Sequence, residues 1–206
     1  MIESSYNQSV FAADTGMVSY LQSVDELIKV LTTSLQLEEC IDTAAQTIKR
    51  SILNGGKLIT CGNGGSAADA LHLAEELVGR YKAERRSLPA ICLNADVTAI
   101  TCIGNDYGFD EIYARQLEGL GKLGDVLVGF STSGNSPNII KAFEQAASQG
   151  ITTIFLGGKD GGAIKDMCDI ELIVPSNTTA RIQEVHTLIL HQWLEELDTT
   201  DWSDLK

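Results

Sequence analysis

Residues 125–136 read DVLVGFSTSGNS, in which an almost uninterrupted apolar segment leads directly into a loop rich in hydroxyl groups. A strand without polar alternation is typical of a parallel sheet that helices cover on both faces. Pro137 follows, at the position that proline favours in the first turn of a helix. The stretch therefore predicts a strand, a turn and a helix, which is the repeating unit of an α/β fold.

The same alternation extends in both directions along the chain. Further strands are predicted at 57–61, 88–93, 151–156 and 170–174 in addition to 125–130. Helices are predicted at 17–31 and 37–53, at 66–80 with Ser66 as the N-cap, after Asp96, at 109–120, from 136 onward, after 161–162, and at 178–197. Right-handed crossovers turn this order into a three-layer αβα sandwich around a five-stranded parallel sheet, preceded by N-terminal helices. We expect one domain over 1–206, with 1–54 as a helical extension.

Composition limits the class of protein. The chain has 206 residues, of which 44% are hydrophobic, and its formal net charge is -13. Such a charge disfavours nucleic acid and anionic membranes as partners. The apolar runs are too short to span a bilayer, and the acidic, polar start does not resemble a secretory signal, so we expect a cytoplasmic protein. Its five cysteines include no C-x-x-C pair and are expected to be reduced.

The loop after the third strand carries four hydroxyl groups within six residues, from Ser131, Thr132, Ser133 and Ser136. Gly134 can adopt a positive φ and let the loop curl. The helix that follows adds free N–H groups and the positive end of its dipole. This arrangement predicts a phosphate-binding loop, although a helix-capping turn of ordinary composition remains the alternative.

A second loop, GNGGS at 62–66, follows the first strand. It matches neither the G-x-G-x-x-G fingerprint of dinucleotide-binding proteins nor the P-loop, which argues against nucleotide ligands. Its glycines allow a ligand to approach the backbone, and Asn63 offers an amide to a sugar hydroxyl. A plain tight turn is the alternative.

Two residue pairs at helical spacing are candidate metal ligands. His72 and Glu76 are four residues apart, and Gln183 and His191 are eight apart, so each pair shares one face of its helix. Imidazole and carboxylate suit zinc, whereas glutamine is a less usual ligand. A surface His–Glu pair is the alternative, and periodicity alone does not bring the two helices together. His186 lies on a different face of its helix and is expected in the core or behind the site.

Four longer segments are distinctive enough to compare with known protein families. They are GNGGSAADALHLAEELVGRY (62–81), ITCIGNDYGFDEIYARQLEGLGKLGDVLVGFSTSGNSPNIIKA (100–142), GGKDGG (157–162) and TARIQEVHTLILH (179–191). In these segments the chain resembles the bacterial phosphoheptose isomerase family, whose sugar isomerase (SIS) domain has a flavodoxin-like fold. The resemblance covers nearly the whole chain.

The resemblance implies an isomerase that converts sedoheptulose 7-phosphate to D-glycero-D-manno-heptose 7-phosphate for surface glycans. It implies a homotetramer with active sites at subunit interfaces, in which 1–54 contribute to assembly. It implies one zinc ion per subunit, bound by His72, Glu76, Gln183 and His191, with Glu76 and His191 catalytic. The implied substrate contacts are Asn63, Gly64, Gly65, Glu76, Asn105, Asp106, Ser131, Thr132, Ser133, Ser136 and Gln183.

Other interpretations stay open at this stage. The same fold occurs in a relative that associates with a replication initiator protein and binds a partner, and in isomerases of other sugar phosphates. The retained Glu76, Gln183 and His191 favour an enzyme. One departure is Ala180, where some family members carry an acidic residue.

Overall fold

The computed structural model describes residues 19–203 and 205. In this part of the chain, five strands form a single sheet: β1 Leu58–Gly62, β2 Ala90–Cys92, β3 Val126–Ser131, β4 Thr152–Gly158 and β5 Ile170–Val174. All neighbouring pairs are parallel, and the order across the sheet is β2-β1-β3-β4-β5. The predicted parallel sheet of five strands is confirmed.

Within residues 19–203, seven α-helices surround the sheet: α1 Tyr20–Ser34, α2 Glu38–Leu53, α3 Gly65–Val78, α4 Val97–Asp106, α5 Ala114–Leu120, α6 Pro137–Ser148 and α7 Thr179–Asp198. Single 3-10 turns occupy Leu35–Leu37, Phe109–Glu111 and Gly162–Ile164. In the part of the chain that the structure describes, no helix has the length and apolarity that a membrane span requires.

Successive strand residues point to opposite faces and enter two separate cores. Leu58, Val126 and Val128 belong to the core shared with α2, α3 and α7, whereas Ile59 and Leu127 belong to the core beneath α5 and α6. The three-layer αβα sandwich is therefore confirmed. The N-terminal helices share the first core, and the Trp193 indole of α7 donates a hydrogen bond to a backbone carbonyl of α2 at 3.0 Å.

Several predicted boundaries were wrong. Ser66 is not the N-cap of α3, because Gly64 takes that position with a φ of 58° and Ser66 is buried inside the first turn. The helix predicted at 109–120 is divided into the 3-10 turn Phe109–Glu111 and α5, which begins only at Ala114. The first predicted helix begins at Tyr20, and residues 17 and 18 lie outside the described residues.

His186 is fully buried at the sheet, as the helical periodicity predicted. Its Nε2 lies 2.9 Å from the Gly157 carbonyl oxygen of β4, which identifies Nε2 as the protonated nitrogen. Nδ1 is buried and has no hydrogen-bond partner among the described residues. Burial lowers the pKa of His186 to about 4, although the bond to Gly157 favours the charged form.

We predict that His186 makes the fold sensitive to acid. Its pKa is depressed in the folded state, so its contribution is complete above the unfolded value of about 6.5 and is lost progressively down to about 4. Over that window the free energy of unfolding should fall by about 1.4 kcal/mol per pH unit on account of this group. Urea unfolding of the parent protein and of His186→Leu at a series of pH values tests this, because the variant should lack that part of the slope. Equal slopes would contradict it.

Candidate active site

The two loops predicted to bind ligand lie at one edge of the sheet. Residues 62–66 leave the carboxyl end of β1, and 131–136 leave the carboxyl end of β3. These strands are neighbours, with Gly62 paired with Phe130. The chain order reverses between β1 and β3, and the crevice at such a switch point is the usual ligand site of open α/β sheets.

A reciprocal amide pair joins the two loops. The Asn63 Nδ2 donates to Asn138 Oδ1 at 2.8 Å, and the Asn138 Nδ2 donates to Asn63 Oδ1 at 2.9 Å. Asn138 stands in the first turn of α6 and is 1% exposed. Asn63 therefore has protein partners for both polar atoms, with one amide hydrogen left to offer a ligand. The sequence analysis missed Asn138, because a polar residue in a first helical turn is ordinary by itself.

The loop at 131–136, called the hydroxyl loop below, leaves several hydrogen-bond donors uncommitted. Ser131 Oγ accepts the Gly134 N–H and Ser133 Oγ accepts the Asn135 N–H, both at 3.2 Å, so these oxygens still carry a proton to donate. Ser136 is the N-cap of α6, yet its hydroxyl caps no backbone N–H. Ser131 Oγ and Ser136 Oγ lie 3.4 Å apart, within reach of a hydrogen bond in which either hydroxyl can be the donor, so one of these two protons stays available to a ligand. The loop thus places hydroxyl donors beside the start of a helix, as an anion site requires.

Gly134 is required where this loop meets the turn before the 3-10 helix at Gly162–Ile164. Its φ is 62°, and a side chain there would overlap the carbonyl of Gly161. Asn135 Oδ1 accepts the Ala163 N–H at 3.0 Å. The shape of the loop is therefore fixed from the side of the β4–β5 connection.

The four predicted metal ligands lie on the facing sides of α3 and α7. His72 Nε2 is 3.5 Å from Glu76 Oε1 within α3. The ring of His191 meets the ring of His72 edge-on, with centroids 5.1 Å apart. Gln183 lies against the start of α3, since a Cβ added at Gly65 would be 2.5 Å from its Nε2. The structure thus brings His191 of α7 to the His72–Glu76 pair, whereas Gln183 lies against Gly65 at the opposite end of α3.

Glu75 is an acidic neighbour that the sequence analysis missed. One donor atom each from His72, Glu75 and Glu76 lies within 4.8 Å of the others, and His191 approaches this group through its ring. Partly exposed imidazole and carboxylate donors on one patch suit a divalent ion such as zinc. The residues present therefore fit a metal.

Asp69 links the two ligand-bearing helices from beneath. Its Oδ1 lies 2.9 Å from the Thr187 hydroxyl of α7, while its buried Oδ2 has no partner among the described residues. Burial raises the pKa of this carboxyl, and the Thr187 hydrogen bond and His72 oppose the rise. The sequence analysis did not name Asp69, although its position three residues before His72 places it on the same face of the helix.

Asn105 and Asp106 lie apart from this cluster. They end α4 on an exposed surface, where the Asn105 amide donates to Asp106 Oδ1 at 2.8 Å. Within the described residues, no hydrogen bond connects either one to α3, α7 or the hydroxyl loop.

Comparison with known proteins identifies the family of the chain. The SIS domain family matches residues 19–158, which is more than half of the chain. A phosphoheptose isomerase of a Nitratiruptor species is 58% identical over 151 residues, covering 73% of this chain and 81% of the relative. A phosphoheptose isomerase of Aliarcobacter butzleri is 49% identical over 179 residues, covering 87% of this chain and 93% of the relative.

A solved structure gives the same result for the fold. The phosphoheptose isomerase of Neisseria gonorrhoeae superposes with a TM-score of 0.82 at 43% sequence identity, covering 87% of this chain and 97% of that one. Coverage at this level takes in most of the α/β domain described above. The chain therefore belongs to the phosphoheptose isomerase family of SIS-domain enzymes.

Proposed function

We propose that this protein converts D-sedoheptulose 7-phosphate to D-glycero-D-manno-heptose 7-phosphate. The observation that carries the proposal is the meeting of the His72–Glu76 pair with His191 across α3 and α7, in a fold whose adjacent strands β1 and β3 end in a glycine-rich and a hydroxyl-rich loop. The names of the similar proteins support the substrate class. We place the reaction in the cytoplasm, at the start of heptose supply for lipopolysaccharide core or other surface glycans.

The reaction relocates two protons within the sugar and changes no net oxidation state. A proton leaves C1 and is returned at C2, and the hydroxyl proton moves from O1 to O2. Glu76 is assigned to the carbon proton, because a partly buried carboxylate can act as a base toward a bound sugar. His191 is assigned to ring opening and to proton transfer between the oxygens. The enediolate between the two states is the species that the site must stabilise.

Binding of the phosphate is assigned to the hydroxyl loop. Ser131, Thr132, Ser133 and Ser136 surround the start of α6, whose free N–H groups and dipole favour an anion. Asn63, Gly64 and Gly65 border the same crevice from the β1 side. A phosphate held at one end of the sugar positions C1 and C2, at the other end, relative to Glu76 and His191.

One zinc ion per subunit is assigned to His72, Glu76, Gln183 and His191. When bound, such an ion would polarise the oxygens on C1 and C2 and favour the enediolate. Glu76 would then have to bind zinc and also remove the carbon proton. These roles oppose each other, because a carboxylate that binds a cation tightly is a weaker base.

A homotetramer with interfacial active sites completes the proposal. Apolar side chains stand exposed along the N-terminal helices and α7, including Tyr20, Leu21, Ile28 and Leu188 at 82%, 72%, 55% and 52% exposure. We assign these side chains to a protein–protein interface, where large apolar groups that a single subunit leaves exposed become covered. Assembly through this surface assigns the N-terminal helices to oligomerisation and lets exposed Asn105 and Asp106 contact substrate in a neighbouring subunit.

The direct test follows the anomeric proton signals by NMR while purified protein acts on sedoheptulose 7-phosphate. New aldose signals are expected, and their formation should stop after treatment with a chelator and resume with Zn²⁺. If aldose forms equally well with the chelator present, the isomerase activity is supported and the proposed role of the metal is contradicted. Absence of product from zinc-loaded protein would overturn the proposal.

We predict that Glu76→Gln and His191→Ala each lower kcat by about a thousandfold, since each removes a proton-transfer group. Circular dichroism and thermal unfolding should show that the fold is retained. The matched control is Glu84→Gln, because the Glu84 side chain is 89% exposed and forms a surface pair with Arg80. Turnover near the parent rate in either site variant would refute its assigned role.

We predict that Ser136→Ala weakens recognition of the phosphate without altering the fold. Loss of a hydrogen bond to a charged group costs about 1.5–3 kcal/mol, so kcat/KM should fall by about ten- to a hundredfold. Ser148→Ala is the control, because that exposed hydroxyl bonds only to the Gln145 carbonyl within α6. The Ser136 variant should also discriminate less between sedoheptulose 7-phosphate and sedoheptulose. An unchanged ratio of the two kcat/KM values would show that Ser136 does not contact phosphate.

A further inference from the structure

Tyr81 covers one side of the His191 imidazole. The two rings are nearly parallel, with an interplanar angle of 22° and centroids 5.7 Å apart. His72 meets the same imidazole edge-on, so His191 is held between two rings. Tyr81 is half-buried, packs against the core beneath α7, and belongs to the segment that joins α3 to β2.

This segment is attached to the end of α7 by one carboxylate. Asp198 Oδ2 accepts the backbone N–H groups of Lys82 and Ala83 at 2.8 and 2.9 Å. Asp198 Oδ1 accepts a hydrogen bond from Arg85 Nε at 3.0 Å. The side chains of Arg85 and Asp198 are only 5% and 7% exposed, so their ion pair is shielded from solvent. The backbone on the carboxyl side of Tyr81 is thereby fixed to the helix that carries His191.

Arg85 also reaches the other half of the site. Its guanidinium donates to the backbone carbonyls of Glu76 at 2.7 Å and Leu77 at 2.9 Å, which satisfies orphan carbonyls at the end of α3. One buried ion pair thus joins the last turn of α3, which carries Glu76, to the last turn of α7.

Lys82 adds a weaker contact to the same face. Its ammonium lies 5.0 Å from the Tyr81 ring centroid and pairs with Glu195 at 2.5 Å. His191, Glu195 and Asp198 follow one another at helical spacing on α7. The His191 imidazole and the two carboxylates that bind the Tyr81 segment therefore share one face of the helix. This outer pair is exposed and contributes little by itself.

We propose that Tyr81 is a positioning residue for His191 and that the buried Arg85–Asp198 pair holds Tyr81 in place. This inference rests on the proposed function in assigning proton transfer to His191. A stacked ring restricts rotation of the imidazole about its side-chain bonds, so its nitrogens stay aimed at one point. Side chains that orient a ligand or an acid–base group commonly affect activity by about ten- to a hundredfold.

The first test compares Tyr81→Leu with Tyr81→Phe, which keeps the ring. The chain has only three histidines, so the imidazole proton signals can be assigned by substitution. In Tyr81→Leu the His191 signals should shift, because the ring current of Tyr81 is lost, and kcat should fall about tenfold with KM little changed. In Tyr81→Phe both readouts should match the parent. Equal kcat and equal His191 signals in Tyr81→Leu would overturn the proposal.

The second test removes the charge that pairs with Arg85, which weakens the attachment, and leaves the ring. Asp198→Asn should shift the His191 signals in the same direction as Tyr81→Leu and lower kcat, and it serves as the decisive variant if Tyr81→Leu fails to fold. Glu195→Gln removes only the exposed Lys82 pair and should change neither readout. Loss of thermal stability in Asp198→Asn with unmoved His191 signals and parental kcat would overturn the positioning role of the pair.

The two proposals fail in distinguishable ways. The His191 signals are measured on the protein without substrate, so they report the stacking even if no heptose is produced. Parent protein that forms no aldose, together with shifted His191 signals in Tyr81→Leu, would overturn the proposed function and leave the positioning intact.

Discussion

The candidate metal group depends on one packing contact, that of α3 against α7. His72 and Glu76 stand on the first helix and Gln183 and His191 on the second, more than a hundred residues later in the chain. Both helices bury their apolar faces on the same side of the sheet, within one continuous core. The rows of polar residues at the edges of those buried faces therefore meet. Whatever shifts the helices relative to each other separates the two halves of the site.

Local patterns were sufficient for the elements themselves. Buried parallel strands read as continuous apolar runs, and all five were found at their predicted places because such runs between turn residues are distinctive in this chain. Helix ends were less predictable. Ser66 has the chemistry of an N-cap, but the sharp turn after β1 needs a positive φ, which Gly64 adopts at little cost. Backbone conformation prevailed over side-chain propensity at this end.

The sequence predicted the residue pair on each helix of the candidate site, but not that the two helices meet. Helical spacing identifies which residues share a face, but it does not identify the partner of that face, so the association of the two pairs came from resemblance alone. Asn138 and Asp198 escaped notice for the same reason, because their bonds to Asn63 and to 82–85 join residues distant in sequence. Polar residues of this kind acquire their role from a partner that no local window contains.

An acidic protein that binds an anionic sugar cannot depend on its overall field. The net charge of -13 repels a phosphate at long range, and no residue of the hydroxyl loop carries a positive charge. Several buried or half-buried cations are instead committed to carboxylates, as in the pairs of Lys57 with Asp125 and Arg85 with Asp198. Hydroxyls and helix N–H groups act only at contact distance. In the proposed site, recognition of the phosphate therefore has to follow the encounter, through the number and aim of short hydrogen bonds, and the Gly134 turn and the Asn63–Asn138 pair fix the loops that would make those bonds.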